Sequence, residues 1–374
     1  MTPDCISDER IARFRVAPWL DWFGGHVARR ATLWRRLGNW ETRLLATEIA
    51  EIKIAEPVFI CGLARSGSTI LLESLAAHPE TATHRYRDYP GVLAPVFWDR
   101  FSARLYANHL APVERAHGDG IAVTPDSPEA IEEMLWMAFH PQSHDSASDN
   151  RLDLVSPDFA AFYRDHIRKL LWLRQGRRYL AKGNYNLVRL RAILQLFPDA
   201  RIIIPLRDPL THIASLMRQH ALFSAAEVRH PAALRYMQRV GHYEFGLDRR
   251  ALNLGSVSAT TAIQKLWRDG NEVEGWSLYW ASVHDFVAEQ LHEDRAVRTA
   301  ALLVRFEELC ADAEGTLTRI LNHAHLESDK AWIAATSRHI RAPSSGPPPF
   351  TEAQYRKIQQ ITASAAQRLG IGQR

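Results

Sequence analysis

Short apolar runs alternate with longer stretches of helical period along this chain. Val58-Phe59-Ile60-Cys61 has no charged position, the pattern of a strand buried on both faces of a parallel sheet. A glycine turn follows at once, then a helical stretch that stops before Pro79. Tyr179-Leu180-Ala181-Lys182 opens a second unit, whose helix carries Leu187, Leu190, Leu194 and Phe197 on one face and stops at Pro198. Arg201-Ile202-Ile203-Ile204 is a third strand. Pro205 has no N–H for a ladder and is expected near that strand's end, before a helix from Leu210 to about His220. Ala301-Leu302-Leu303-Val304 is a fourth strand, leading into a helix that ends near Leu321. This alternation predicts an α/β fold, a central parallel sheet with helices on both faces.

Other stretches read as helix. Over residues 12–50, Leu33, Leu37, Trp40 and Leu44 recur at one-face spacing, with Arg29, Arg36 and Arg43 as a basic stripe. The apolar positions are expected to pack on the domain, with no membrane association. Residues 84–178 and 221–299 lack strand signals and hold many tryptophans (Trp98, Trp136, Trp172, Trp267, Trp276, Trp280). They read as mainly helical insertions forming the walls of a ligand site, most of their aromatics filling core. Pro343 to Pro349 is a proline-rich loop; Thr351 and Gln354 have capping-box spacing, and a last helix carries Tyr355, Ile358, Ile361 and Leu369, with Gly370 past its end. The expectation is one domain over 1–374, with 1–55 as a helical extension.

Composition narrows the class. With 46% apolar and 24% charged residues the 374-residue chain is ordinary globular material. A net charge of +4 is too mild to announce nucleic acid, yet suits a polyanionic small molecule. Cys5, Cys61 and Cys310 are scattered and odd in number, which argues against a disulfide framework and for a reducing, cytoplasmic setting. No apolar run reaches the ~18–20 residues of a membrane span. His140 and His144 are four apart, but Pro141 breaks the helix a zinc pair would need, so no metal is expected there.

Gly62-Leu63-Ala64-Arg65-Ser66-Gly67-Ser68-Thr69 carries the candidate chemistry. Its glycines let the backbone curl so that successive N–H groups face a phosphate, and the following helix adds its positive dipole end. A nucleotide-hydrolysing loop of this spacing needs Lys directly after the second glycine; here that position is Ser68. The positive charge sits inside the loop instead, at Arg65.

With Ala77-His78-Pro79 closing its helix, this loop resembles the 5′-phosphosulfate loop of the sulfotransferases, notably bacterial members and the tyrosylprotein-type branch. Ala64 stands where those members often have Pro, and Ser68 where they have Thr. Arg207-Asp208-Pro209 and Ser215, eight positions after Arg207, match the family's pair on the 3′-phosphate. Lys182 matches a lysine near the transferred sulfonate, and Val304-Arg305-Phe306-Glu307-Glu308-Leu309 resembles a structural segment. The likeness covers about 57–90 and 179–220, weakly 300–325. It implies a P-loop-type three-layer fold that moves sulfonate from 3′-phosphoadenosine 5′-phosphosulfate to a hydroxyl or amine acceptor, without a metal. Arg65, Ser66, Gly67, Ser68, Thr69, Arg207 and Ser215 would hold the donor.

Transfer at sulfur is an in-line displacement in which charge grows on the bridging 5′-phosphate oxygen, so a fixed cation there stabilises the transition state. Arg65 is the candidate, with Lys182 on the sulfonate oxygens. A neutral acceptor also needs a general base. The tyrosylprotein-type glutamate falls, in register from His78-Pro79, on Tyr86. His84 and Asp88 stand nearby and are the candidates, with His117, His140 and His144 behind them. A P-loop kinase or NTPase, or a non-catalytic nucleotide-binding protein, is the alternative. The acceptor's class and the oligomeric state are not written in the sequence.

Overall fold

Four apolar runs become the four long strands of a sheet. The computed structural model describes residues 6–106, 111–340, 348 and 350–372. Its strands are β1 (Val58–Cys61), β2 (Thr81–Ala82), β3 (Val113–Glu114), β4 (Ala122–Val123), β5 (Arg178–Gly183), β6 (Arg201–Leu206) and β7 (Ala301–Arg305). Five form a parallel sheet in the order β2-β5-β1-β6-β7. The expected strands are β1, β5, β6 and β7. The two-residue edge strand β2, and an antiparallel hairpin of β3 and β4 inside the 84–178 insertion, are additions. Elements this short leave no periodic trace in the sequence.

The central strand shows why the sheet needs cover on both sides. All four residues of β1 are fully buried. Val58 and Ile60 face a cluster with Leu71, Leu72 and Leu75 of helix Ser68–Ala76 and with Leu317, Ile320 and Leu321 of helix Ala313–Ala324. Phe59 and Cys61, one residue out of phase, join the larger core on the opposite face, with Ile167 and Leu170 of helix Pro157–Arg174. Each large apolar side chain so buried is worth about 1.5–3 kcal/mol. Pro205 lies inside β6 but beyond its last pair with β1, Ile60↔Ile203. There the neighbouring strand has already turned away, so no ladder bond to β1 is forfeited.

The N-terminal helices correct one expectation. Residues 12–50 are not one helix; the main pieces are Pro18–Arg29 and Ala31–Leu44. Leu33, Trp40 and Leu44, read as the packed stripe, are about half exposed. The buried side instead carries Gly38 and Glu41. Lys169 reaches in from helix Pro157–Arg174 to donate to the Gly38 carbonyl at 3.0 Å and pair with Glu41 at 2.9 Å. A side chain on Gly38 would strike the Leu93 carbonyl. This face is chosen by a buried ion pair and a close backbone approach, which a hydrophobicity pattern does not register.

Elsewhere the pattern holds. Trp98, Trp136, Trp267, Trp276 and Trp280 are buried, and Trp172 is half-buried. Thr351 and Gln354 form the capping box of helix Glu352–Arg368. The proline-rich loop lies mostly outside the described residues. Among the described residues no helix is long and apolar enough to cross a membrane.

Candidate active site

The carboxyl ends of β1, β5, β6 and β7 converge, and each delivers one part of a site, the usual place for ligands in an open parallel sheet. From β1 comes the loop 62–67. Gly62 is required because a Cβ there would lie 2.6 Å from Pro205 at the end of β6. Gly67 has φ +98°, and a Cβ on it would meet the Phe306 ring at 2.5 Å. Helix Ser68–Ala76 starts directly behind it, so the first N–H groups of the helix open onto the loop. The Ser66 hydroxyl is buried and, among the described residues, has no hydrogen-bond partner.

Arg65 stands in the left-handed region at φ 72°, a conformation costing a non-glycine residue about 1–3 kcal/mol. The loop is held in it from β6 and the helix after it. Arg207 Nη1 donates to the Arg65 carbonyl at 3.1 Å, and His212 Nε2 bonds the Ala64 carbonyl at 2.8 Å. The Arg65 side chain donates from Nε to Ser215 Oγ at 3.3 Å and from Nη1 to Asp119 Oδ2 at 2.9 Å. Arg115, from the β3–β4 hairpin, grips the same carboxylate and reaches Thr69 Oγ1 at 3.4 Å. Burial works to raise the Asp119 carboxyl, but hydrogen bonds from Arg115 and the fields of Arg115 and Arg65 outweigh it and hold it ionised. Burial and neighbouring Arg65 lower Arg207 to about 10, and burial pushes Glu73, one turn into the helix, up to about 7.

Two cavities meet at these cations. One, of about 680 Å³, is lined by Arg65, Gly67, Ser68, Thr69, Glu73, Arg115, Asp119, Arg207 and Phe306. Its neighbour, of about 470 Å³, shares Arg65, Ser68, Thr69 and Arg115 and adds Lys182, Tyr86, Glu129, His117 and Glu244. Its walls come from the N-terminal segment, the 84–178 insertion and the 221–299 insertion, including Phe14, Tyr236 and Phe245. The half-buried Lys182 makes no ion pair among the described residues; burial lowers its ammonium, with Glu129 and Glu244 pulling the other way.

The sequence profile of the sulfotransferase family matches residues 57–257, more than half of the chain. The chain belongs to the sulfotransferase family. No curated protein matches it. Two solved sulfotransferases share its fold. STF1 of Mycobacterium tuberculosis H37Rv is 18% identical with a TM-score of 0.53, over 91% of this chain and 84% of its own. STF9 of Mycobacterium avium is 16% identical with a TM-score of 0.55, over 95% of this chain and 87% of its own.

Within this sulfotransferase, Arg65, Ser68, Thr69 and Lys182 come together at the meeting of the cavities, Arg207 lines the larger one, and Ser215 lies against Arg65. His84 and Asp88 do not join them. Asp88 is buried, accepts the Arg85 N–H at 2.8 Å and pairs with Arg174 at 2.5 Å; it ties a loop to a core helix. His84 is stacked on His166 and bonded to it at 2.9 Å, and burial, aided by Arg174, lowers its pKa to about 3. Neither lines either cavity. Among the reserve histidines, His117 lines the smaller cavity, while His144 is tied to Glu133 at 2.7 Å. Arg115, Asp119, Glu73 and Glu129 were missed. Gly118-Asp119-Gly120 advertises a turn, but nothing local says that the turn folds onto the loop at 62–67.

Proposed function

We propose that this sulfotransferase moves sulfonate from 3′-phosphoadenosine 5′-phosphosulfate to a hydroxyl or amine acceptor by in-line displacement. The observation that carries the reading is the junction of two cavities at Arg65, Ser68, Thr69 and Arg115, one entering along the glycine loop and one opening among the insertions. The donor occupies the first, with its 5′-phosphate on the loop N–H groups and the helix start. Its 3′-phosphate is read by Arg207 and Ser215 through charge-assisted bonds. The Asp119 carboxylate, held between Arg65 and Arg115, stands where an anion is stabilised, and the donor's phosphosulfate takes over those cations.

At the junction Arg65 neutralises charge growing on the bridging oxygen, and Lys182 binds the sulfonate oxygens. The second cavity takes the acceptor, so the insertions 84–178 and 221–299 act as its walls within one domain spanning the chain. The test is transfer of label from sulfur-labelled donor over alcohols, phenols, sugars and amines. Labelled acceptor is the expected result. Phosphoryl transfer from ATP, with no sulfonate transfer, would replace this reading with a kinase.

A further inference from the structure

The family register puts a tyrosine where a carboxylate is expected, and the fold brings that tyrosine a carboxylate from another segment. Residues 125–129 run along residues 84–87. Tyr86 N–H donates to the Ser127 carbonyl at 3.1 Å, Arg87 N–H to Pro125 at 2.9 Å, and Glu129 N–H to His84 at 3.0 Å, with a bridge between Arg85 and Pro128. This pairing sets the Glu129 carboxylate beside Tyr86, whose hydroxyl feels its charge. Both line the acceptor cavity with Lys182 and Arg65.

The other acids on that wall are committed. Glu132 accepts from Trp136 at 3.0 Å and Tyr179 at 2.5 Å. Glu133 is clamped by Arg189 at 2.6 Å and His144 at 2.7 Å. Glu244 holds Asn184 at 2.5 Å and faces His242 at 3.3 Å, and Glu114 pairs with Arg13 at 2.5 Å. His117 is half-buried beside Arg115, and desolvation and that charge drive its pKa well below the usual value, making it a weak base. Glu129 makes no ion pair among the described residues; one of its oxygens accepts the Ala130 N–H at 2.7 Å.

We propose that Glu129 is the general base of the transfer, with Tyr86 as the residue that positions it. The idea rests on the sulfonate-transfer reading above. The acceptor O–H proton passes to the Glu129 carboxylate as the acceptor oxygen bonds to sulfur. The bond from sulfur to the 5′-phosphate oxygen breaks, its electron pair leaves with the bisphosphate, and Glu129 then returns the proton to solvent. Burial, reinforced by Glu129, raises Tyr86 well above 10, so its hydroxyl keeps its proton and is a donor available to the neighbouring carboxylate. The groups facing Glu129 are Tyr86, Arg115, Lys182, Glu73 and Tyr236.

The test uses sulfur-labelled donor with phenols whose pKa runs from about 10 to about 7 as probe acceptors, and with water, read as inorganic sulfate. Glu129→Gln should lower turnover of the least acidic phenol, or of water where no phenol is taken, by ~10²–10⁴-fold. Its rate–pH profile should lose the acidic limb, its defect should shrink as the phenol becomes more acidic, and adenosine 3′,5′-bisphosphate should bind as to wild type. Tyr86→Phe should cause a smaller loss and keep the limb. Glu129→Gln retaining turnover and limb, or losing turnover equally over the whole series, would overturn the proposal. A wild-type protein that fails to bind the bisphosphate would instead remove the donor reading beneath it.

Discussion

The proposed donor side and the proposed acceptor side of this site are built in opposite ways. The donor side hangs on strand ends: Arg65 follows β1, Lys182 closes β5, Arg207 follows β6 and Phe306 follows β7. Its geometry is inherited from a buried sheet whose register is fixed by packing on both faces. The acceptor side is assembled from segments far apart in sequence, from Phe14 to Phe245, joined by short backbone pairings and a two-strand hairpin. Cations dominate the first. The second mixes tyrosines, carboxylates, arginines and one lysine. On the proposed reading, a rigid frame presents the reactive end of the donor, while the insertions decide what meets it.

The comparison breaks most sharply at Asp88, which lies in the acceptor-side chain but belongs to its scaffold. Removing one partner of a buried ion pair typically costs ~3–5 kcal/mol. Asp88→Asn should lie near the lower end, because Arg174 keeps Asp99 at 2.7 Å. Urea unfolding reads this directly. Unchanged stability with lost turnover would return Asp88 to the chemistry. On the donor side, Arg65→Ala should lower kcat by ~10²–10³-fold, as loss of one transition-state donor does, while bisphosphate affinity changes comparatively little. Near-normal kcat would make Arg65 a loop-shaping residue.

Arg207→Ala sharpens the division within the donor cavity. A charge-assisted contact is worth ~1.5–3 kcal/mol, so this variant should weaken the bisphosphate by about that much more than it weakens adenosine 5′-phosphosulfate, which lacks the 3′-phosphate. Ser215→Ala should do the same to a smaller degree. Equal losses for both ligands would end the 3′-phosphate assignment. The smallest effect concerns Glu73. Burial raises it to about 7, so it is protonated below that pH and a carboxylate above it. A carboxylate lining the donor cavity repels phosphate, so wild-type affinity should fall, relative to Glu73→Gln, as pH rises through about 7. The expected ratio is ~5-fold, the scale of one like charge at close range in water. A flat ratio across that window would place Glu73 away from the bound phosphates.

Legibility in the sequence follows the same division. The four long strands, the loop at 62–67, Arg207 and the C-terminal capping box depend on local signals, either period or motif, and were readable. The exposed stripe of Leu33, Trp40 and Leu44 was misread because Glu41 and Lys169 satisfy each other inside the fold. Burial of a matched pair looks polar in any hydrophobicity pattern. Glu129 was invisible for another reason: its partner Tyr86 lies 43 positions earlier, and the segments are brought together by backbone hydrogen bonds and by Asp126 pairing with Arg85 and Arg87. His84 and Asp88 were attractive by proximity in sequence, yet the chain turns both into the interior.

The most direct measurement is calorimetric titration of the wild-type protein with adenosine 3′,5′-bisphosphate and with ATP, each with and without magnesium. A cradle made of the loop N–H groups, Arg207 and Ser215 should bind the bisphosphate at least ~10-fold more tightly than ATP, the factor that ~1.4 kcal/mol confers, and magnesium should not matter. Tighter, magnesium-dependent binding of ATP would contradict the account.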